Sequence, residues 1–155
     1  MSSADFPVPA MGVRLGVDVG SVRVGVARSD PHGILATPVT TLARDGSRES
    51  DLDALRDLVL ELNVVEVVVG LPRTLRGAVG AAATSARSYG RLLAARIAPV
   101  PLVYVDERLT SVTANRVLAD RGIREKSRRS VVDQAAAMTI LQIRLDQVAA
   151  LRGGT

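Results

Sequence analysis

The 155-residue chain has no cysteine and a single histidine, His32. A disulfide framework, a thiolate metal site and a cysteine nucleophile are therefore excluded together, and a Ser-His pair or an imidazole-rich zinc site has almost nothing to be built from. Carboxylates must carry any hydrolytic chemistry. Three stand out by position: Asp18 and Glu107 each end a run of strand-forming residues, and Asp133 opens an apolar helical pattern. With no His or Cys beside them they make a hard, oxygen-only donor set, which suits Mg²⁺ or Mn²⁺. Two such ions held roughly 3.5 to 4 Å apart activate a water and steady the leaving oxygen of a phosphodiester. Each acid also has an ordinary reading. Asp18 can pair with Arg23 across a hairpin, and Glu107 sits between Asp106 and Arg108, where a plain ion pair forms. Asp133 stands three residues after Ser130, as the acid of a capping box does. His32 lies in the turn Asp30-Pro31-His32-Gly33 and reads as structural.

The elements that must position these residues follow from periodicity. Val13, Leu15, Val17 and Val19 alternate with Arg14, Gly16, Asp18 and Gly20, and the alternation resumes after Ser21 as Val22, Val24 and Val26. That pattern predicts a hairpin with a two-residue Gly20-Ser21 turn, Gly16 opposite Gly25 and Asp18 opposite Arg23. The face bearing those glycines is nearly bare, so a helix or a ligand can approach closely. Ile34 to Leu42 reads as a third strand, placed at an edge by Pro38. From Ser50 the period turns helical, with Leu52, Leu55, Val59 and Leu62 on one face and Asp51, Asp53, Arg56 and Asp57 elsewhere. Val64 to Val69 is the continuous apolar run of a buried parallel strand, ending at Gly70-Leu71-Pro72.

Residues 77 to 97 are Ala-rich and helical, and Leu102 to Val105 is a short strand closed by Asp106-Glu107-Arg108. One helix is expected from about Thr110 to Asp120, stopping at Gly122. Another is expected from near Ser130, with Val132, Ala136, Thr139 and Ile143 on one stripe. This order predicts an α/β fold: a five-stranded mixed sheet, order 3-2-1-4-5, flanked by helices, which is the ribonuclease-H-like architecture. Residues 1–12 are expected to form a flexible tail and residues 13–150 a single domain. Ligands of open α/β sheets bind beyond the C-terminal ends of the parallel strands. Asp18, the Gly70 bend and Asp106-Glu107 then share one rim, and Asp133 joins them if its helix packs on the bare face.

Net charge is +4, and the cations are 19 Arg against the single Lys126. The planar, bidentate phosphate binder dominates, which favours a nucleic-acid partner. Aromatics at 2% of the chain argue against single-strand binding by base stacking. Arg121, Arg124, Lys126, Arg128 and Arg129 read as a basic loop before a helix N-terminus, able either to grip phosphates or to be solvated. No apolar run approaches the roughly 18 residues of a membrane span. Residues 1–12 lack the charged start and apolar centre of a secretory signal, so a cytoplasmic location is expected. Asp18-Val19-Gly20-Ser21 is also similar to the phosphate loop of the actin/hexokinase ATPases, but those enzymes close two such domains around a nucleotide and this chain has length for one.

Four blocks recur together: Asp18-Val19-Gly20-Ser21-Val22-Arg23-Val24-Gly25-Val26-Ala27; Val69-Gly70-Leu71-Pro72 with Gly77 following; Val105-Asp106-Glu107-Arg108-Leu109-Thr110; and Lys126-Ser127 through Val132-Asp133-Gln134-Ala135-Ala136. In this order and spacing, from about Leu15 to Leu145, the chain resembles the YqgF family of Holliday junction resolvase-like and pre-16S rRNA nuclease proteins. The resemblance implies a metal-dependent endonuclease of structured RNA or branched DNA, with Asp18, Glu107 and Asp133 as catalytic and metal-binding residues and Mg²⁺ or Mn²⁺ as cofactor. It implies phosphate contacts for Arg23, Arg108 and Lys126, with Arg73, Arg128 and Arg129 as further nucleic-acid-binding candidates. Precursor rRNA is the first substrate expected and a Holliday junction the second. Ribosomal precursor particles are implied partners, and the chain is expected as a monomer or homodimer. A non-catalytic nucleic-acid-binding factor is the reading from a different class. Two departures stand out. Val22 replaces the family's usual Lys, and Arg73-Thr74-Leu75-Arg76 replaces a segment that usually carries Asn and an acid.

Overall fold

The computed structural model describes residues 9–72, 80–107 and 125–153, of which residues 125–131 are described by their main chain alone. The elements are β1 (Arg14–Val19), β2 (Arg23–Ser29), β3 (Ala36–Ala43), α1 (Ser50–Glu61), β4 (Glu66–Leu71), α2 (Ala81–Ile97), β5 (Leu102–Asp106) and α3 (Glu125–Gly153). They form one five-stranded sheet in the order β3-β2-β1-β4-β5, antiparallel between β1, β2 and β3 and parallel between β1, β4 and β5. This is the mixed ribonuclease-H-like sheet that the order of periodicities predicts. The helix expected at residues 110–120 lies outside the described residues.

Strand alternation sorts the sheet into two faces. Leu15, Val17, Val24, Val26, Val67 and Val69 pack against Leu52, Leu55 and Val59 of α1 and Tyr89, Leu93 and Ile97 of α2. The opposite face offers Ala27, Val68 and Val105 to Ala137, Ile140, Leu141 and Leu145 of α3. Pro38 lies on β3, at the sheet edge as expected, where the β2–β3 register slips between Val26 and Ala27.

Five details depart from the sequence-based expectation. The hairpin pairs Asp18 with Gly25 and Gly16 with Ala27, two positions from the register expected. A shift of two preserves the faces, so the alternation cannot detect it. The turn is longer than Gly20-Ser21: the Gly20 N–H donates to the Arg23 carbonyl at 2.8 Å. Helix α3 begins at Glu125, ahead of Ser130. Lys126, Arg128 and Arg129 are therefore helical and not part of a loop. Glu125 to Arg129 contains no glycine or proline and is dominated by good helix formers, so nothing stops the helix at Ser130. Of the stripe expected on α3, Ala136 is buried, but Val132, Thr139 and Ile143 are only partly so; Ala137, Ile140, Leu141 and Leu145 lie deepest, and the Thr139 hydroxyl donates to the Ala135 carbonyl one turn back. Finally, Asp51 of α1 is buried rather than solvated, because it accepts the Tyr89 hydroxyl at 2.7 Å.

The glycine-bearing face lets α3 settle main chain to main chain. A Cβ at Gly16 would come within 2.6 Å of both the Ala137 carbonyl oxygen and the Leu141 Cβ, and one at Gly25 would run into the Asp133 carbonyl. At the far end Arg144 of α3 forks onto Glu66, Nε to Oε1 at 2.7 Å and the terminal nitrogen to Oε2 at 2.9 Å, while Arg14 Nε reaches Oε1 at 2.9 Å. Gly25→Ala must move the helix backbone, so it is expected to destabilise by about 1 to 3 kcal/mol, the usual cost of overpacking. Gly46→Ala, with nothing within 4 Å of the added Cβ, should be close to neutral. Urea unfolding of the two variants makes the comparison, and equal stabilities would show that the close approach carries no weight.

Candidate active site

Asp18 is on β1 and points to the α3 side of the sheet, the side shared by its cross-strand partner Gly25. Burial pushes its carboxyl up to about 6, and the nearby Asp133 carboxylate adds to the effect. Glu107 comes directly after β5, where its N–H extends the ladder by donating to the Leu71 carbonyl at 3.3 Å. It is 8% exposed. Burial pushes it up to about 7, with Asp18 and then Asp106 contributing repulsion. The two strand-end carboxylates thus crowd one another at the rim, as the strand order leads one to expect.

Space for Glu107 comes from Gly70 on β4. A Cβ there would lie 2.5 Å from Glu107 Oε2 and would also press on the Ile140 side chain. The sequence signal for Gly70 was a strand-ending bend, and its second role as the notch beneath Glu107 is a product of packing.

Asp133 is about two turns inside α3, so the capping-box reading with Ser130 does not hold. Its carboxylate accepts Arg23 Nε at 2.9 Å. Arg23 therefore pairs with Asp133, not with Asp18 across the hairpin. The next residue, Gln134, donates to Thr41 Oγ1 at 3.1 Å and ties this part of α3 to β3.

A residue that the sequence did not single out fixes the turn between β1 and β2. Arg44 donates its main-chain N–H to the Val22 carbonyl at 2.9 Å and its guanidinium to the Gly20 carbonyl at 3.2 Å and to Ser85 Oγ at 3.3 Å. Its guanidinium carbon also lies 5.0 Å from the centroid of the Tyr89 ring. The turn that carries Arg23 is in this way held to α2.

The donor chemistry fits a hard divalent cation: buried carboxylate oxygens without imidazole or thiolate, whose proton affinities are already raised by crowding. Among the described residues no three His, Cys, Asp or Glu side chains form a ready-made metal-holding group, and Asp133 is the acid turned onto Arg23. Arg73 and Arg108 lie outside the described residues, as do Arg121 and Arg124. Lys126, Arg128 and Arg129 fall in the first turns of α3, and only their main chain is described.

Comparison with known proteins gives the family and the fold of the chain. The family profile described as "RuvX: Holliday junction resolvase" matches residues 12–147. A protein of Frankia casuarinae named "Putative pre-16S rRNA nuclease" is 61% identical over 134 residues, which are 86% of this chain and 66% of that protein, just under two thirds of its length. One of the same name from Mycobacteroides abscessus is 54% identical over 139 residues, 90% of this chain and 84% of its own length. The solved structure of Thermus thermophilus RuvC in complex with a Holliday junction substrate aligns with a TM-score of 0.53 at 15% identity, covering 93% of this chain and 97% of that one. At that identity the likeness is one of fold.

The raised carboxyls have a consequence for stability. In the folded chain Asp18 and Glu107 keep protons that their unfolded counterparts release from ordinary values of 3.8 and 4.5. The folded state therefore binds more protons, and stability falls as pH rises from about 4 to about 7. In thermal melts without divalent cations, the Asp18→Asn/Glu107→Gln double variant should match the parent near pH 4 and exceed it at pH 8. A parent that melts at or above the variant at pH 8 would mean the two acids are not destabilised by their surroundings.

Proposed function

Because the chain belongs to the RuvX family, described as Holliday junction resolvases, we propose that it is a metal-dependent endonuclease of structured nucleic acid. Its substrate is the 16S rRNA precursor, trimmed in the cytoplasm during ribosome biogenesis. The observation that carries this reading is the half-buried Asp18 and the buried Glu107, carboxylates that repel across β4 from the ends of the parallel strands β1 and β5. Such crowding costs stability and is relieved by a cation, which is the arrangement expected of a site kept for function. The curated relatives named for pre-16S rRNA favour RNA as the substrate. Among the described residues, no helix is long and apolar enough to cross a membrane.

Asp18, Glu107 and Asp133 are the residues to hold Mg²⁺ or Mn²⁺. When bound, the ion supplies Lewis acidity, neutralising charge at the scissile phosphate and easing deprotonation of the attacking water. The chain's own part is to present three carboxylates from two strand ends and one helix whose main chains are held in place. Gly70 leaves room for Glu107, and Gly25 lets the Asp133 segment of α3 lie against β2. Arg23, Arg73, Arg108, Lys126, Arg128 and Arg129 bind the nucleic-acid backbone.

Cleavage by resolution of a DNA junction is the second reading, favoured by the family's description. It requires paired symmetric cuts and hence a dimer, whereas RNA trimming is open to a monomer. The test is incubation of the purified protein with Mg²⁺ or Mn²⁺ and, in parallel, a precursor 16S rRNA fragment, a four-way DNA junction and a linear duplex. Metal-dependent cutting of the RNA is expected, and preferential cutting of the junction would move the assignment to the resolvase. Binding without cutting of any substrate would leave a non-catalytic factor.

Asp18→Asn and Glu107→Gln are each expected to abolish cutting while the fold persists, and Asp133→Asn to cost orders of magnitude in rate. Gly70→Ala presses on Glu107 and on the buried Ile140, so it should cost about 1 to 3 kcal/mol in urea unfolding and, in protein that remains folded, lose activity by moving Glu107. Retained cutting by both strand-end variants would remove Asp18 and Glu107 from the mechanism.

A further inference from the structure

Asp133 has a rigid main chain and a side chain with a choice. Its carbonyl sits against Gly25, and one turn on the Ala137 carbonyl and the Leu141 Cβ sit against Gly16, so α3 cannot slide to bring its carboxylate closer to β1 or β5. The carboxylate itself is bonded to Arg23 in an ion pair that is only part-buried, with side-chain exposures of 37% for Arg23 and 19% for Asp133. The Arg23 main chain is equally well fixed, by its carbonyl's bond to Gly20 and its pairing with Ala43. Two side chains can therefore exchange partners while both backbones stay in place. The Asp133 carboxylate is also near enough to Asp18 to be felt by it.

We propose that Arg23 and a divalent cation compete for the Asp133 carboxylate, and that the guanidinium displaced by the cation is handed to a nucleic-acid phosphate. The inference rests on the reading of Asp18, Glu107 and Asp133 as cation ligands, and it adds to that reading a coupling between the two ligands. Before the exchange Arg23 neutralises the third acid. After it, the cation satisfies Asp133 and the freed guanidinium, a planar fork matched to phosphate, is available at the site's edge. Cation and nucleic acid then strengthen each other's binding, and the strengthening is reciprocal.

Mn²⁺ binding to the free protein, read from the EPR signal of unbound Mn²⁺ at constant pH and ionic strength, tests the first half. Arg23→Gln should bind Mn²⁺ roughly three- to fivefold more tightly than the parent, about the reach of a part-exposed ion pair. In an Asp133→Asn background the same substitution should have no effect, because the group being contested is gone. Arg23→Lys, which keeps the charge, should fall between the parent and Arg23→Gln, and melting curves confirm that each variant is folded. Unchanged or weaker Mn²⁺ binding by Arg23→Gln overturns the proposal and makes Arg23 a group that orients Asp133. Tightening that persists in the Asp133→Asn background also overturns it, since that would be a general charge effect.

Asp18→Asn separates the two levels of the argument. If it leaves Mn²⁺ affinity untouched, the site reading falls and the competition with it. If it weakens Mn²⁺ while Arg23→Gln changes nothing, only the competition falls. The second half is tested by the fluorescence anisotropy of a labelled short RNA hairpin, with and without Ca²⁺ at matched ionic strength. The parent should gain RNA affinity on adding Ca²⁺ and Arg23→Gln should lose most of that gain. Equal gains in both proteins overturn the handover.

Discussion

The close approach of α3 to a strip of sheet without side chains is the constraint on which the rest of the structure depends. Gly16 and Gly25 leave the helix main chain resting directly on β1 and β2, with the Asp133 and Ala137 carbonyls where side chains would otherwise stand. Glycine within a strand gives up side-chain packing and costs backbone entropy. Here those losses are offset by the cluster of Ala27, Val68, Val105, Ile140, Leu141 and Leu145. The return is positional: a helix held this tightly delivers Asp133 to the edge of the site with almost no freedom in its main chain. Gly70 acts in the same way for Glu107, by leaving its carboxylate and Ile140 the space that a Cβ would fill.

The two ends of α3 treat buried acids in opposite ways. At the far end burial by itself would raise the Glu66 carboxyl, but hydrogen bonds from Arg144 and Arg14 outweigh it and hold the group below its ordinary value. There the acid is held between two guanidinium groups, and leaving such a buried charge without a partner is strongly destabilising. At the rim, burial pushes Asp18 and Glu107 up, with repulsion from Asp133 on Asp18 and from Asp18 and Asp106 on Glu107. The same residue class thus anchors the helix at one end and stores electrostatic tension at the other.

The opposite helical layer also reaches the site. Tyr89 of α2 donates to the buried Asp51 of α1, and Arg44 lies over the Tyr89 ring while holding the Gly20 carbonyl and Ser85. A continuous set of contacts therefore runs from α1 and α2 to the turn that bears Arg23. That turn is consequently as well supported as the strands it joins, even though Val22 within it is exposed.

Much of this was legible in the residues. Alternation in β1 and β2, the apolar runs of β4 and β5 and the helical period from Ser50 determined the element order, and that order determined the sheet and put Asp18 and Glu107 at one rim, on either side of β4. The four blocks from Asp18 to Ala136 pointed to the family, and Pro38 marked the edge strand. What tertiary structure alone decided were relations between distant positions. Asp18 pairs with Gly25 rather than Arg23 because a two-residue shift leaves the inward and outward faces unchanged, so alternation is blind to it. Arg23 meets Asp133, 110 positions away, because a helix main chain fits over Gly25. Asp51, which helical periodicity assigns to solvent, is buried because the Tyr89 hydroxyl of a neighbouring helix is there to satisfy it. Local period reports which way a side chain points; which partner waits there is set by packing between elements, and no window along the chain contains it.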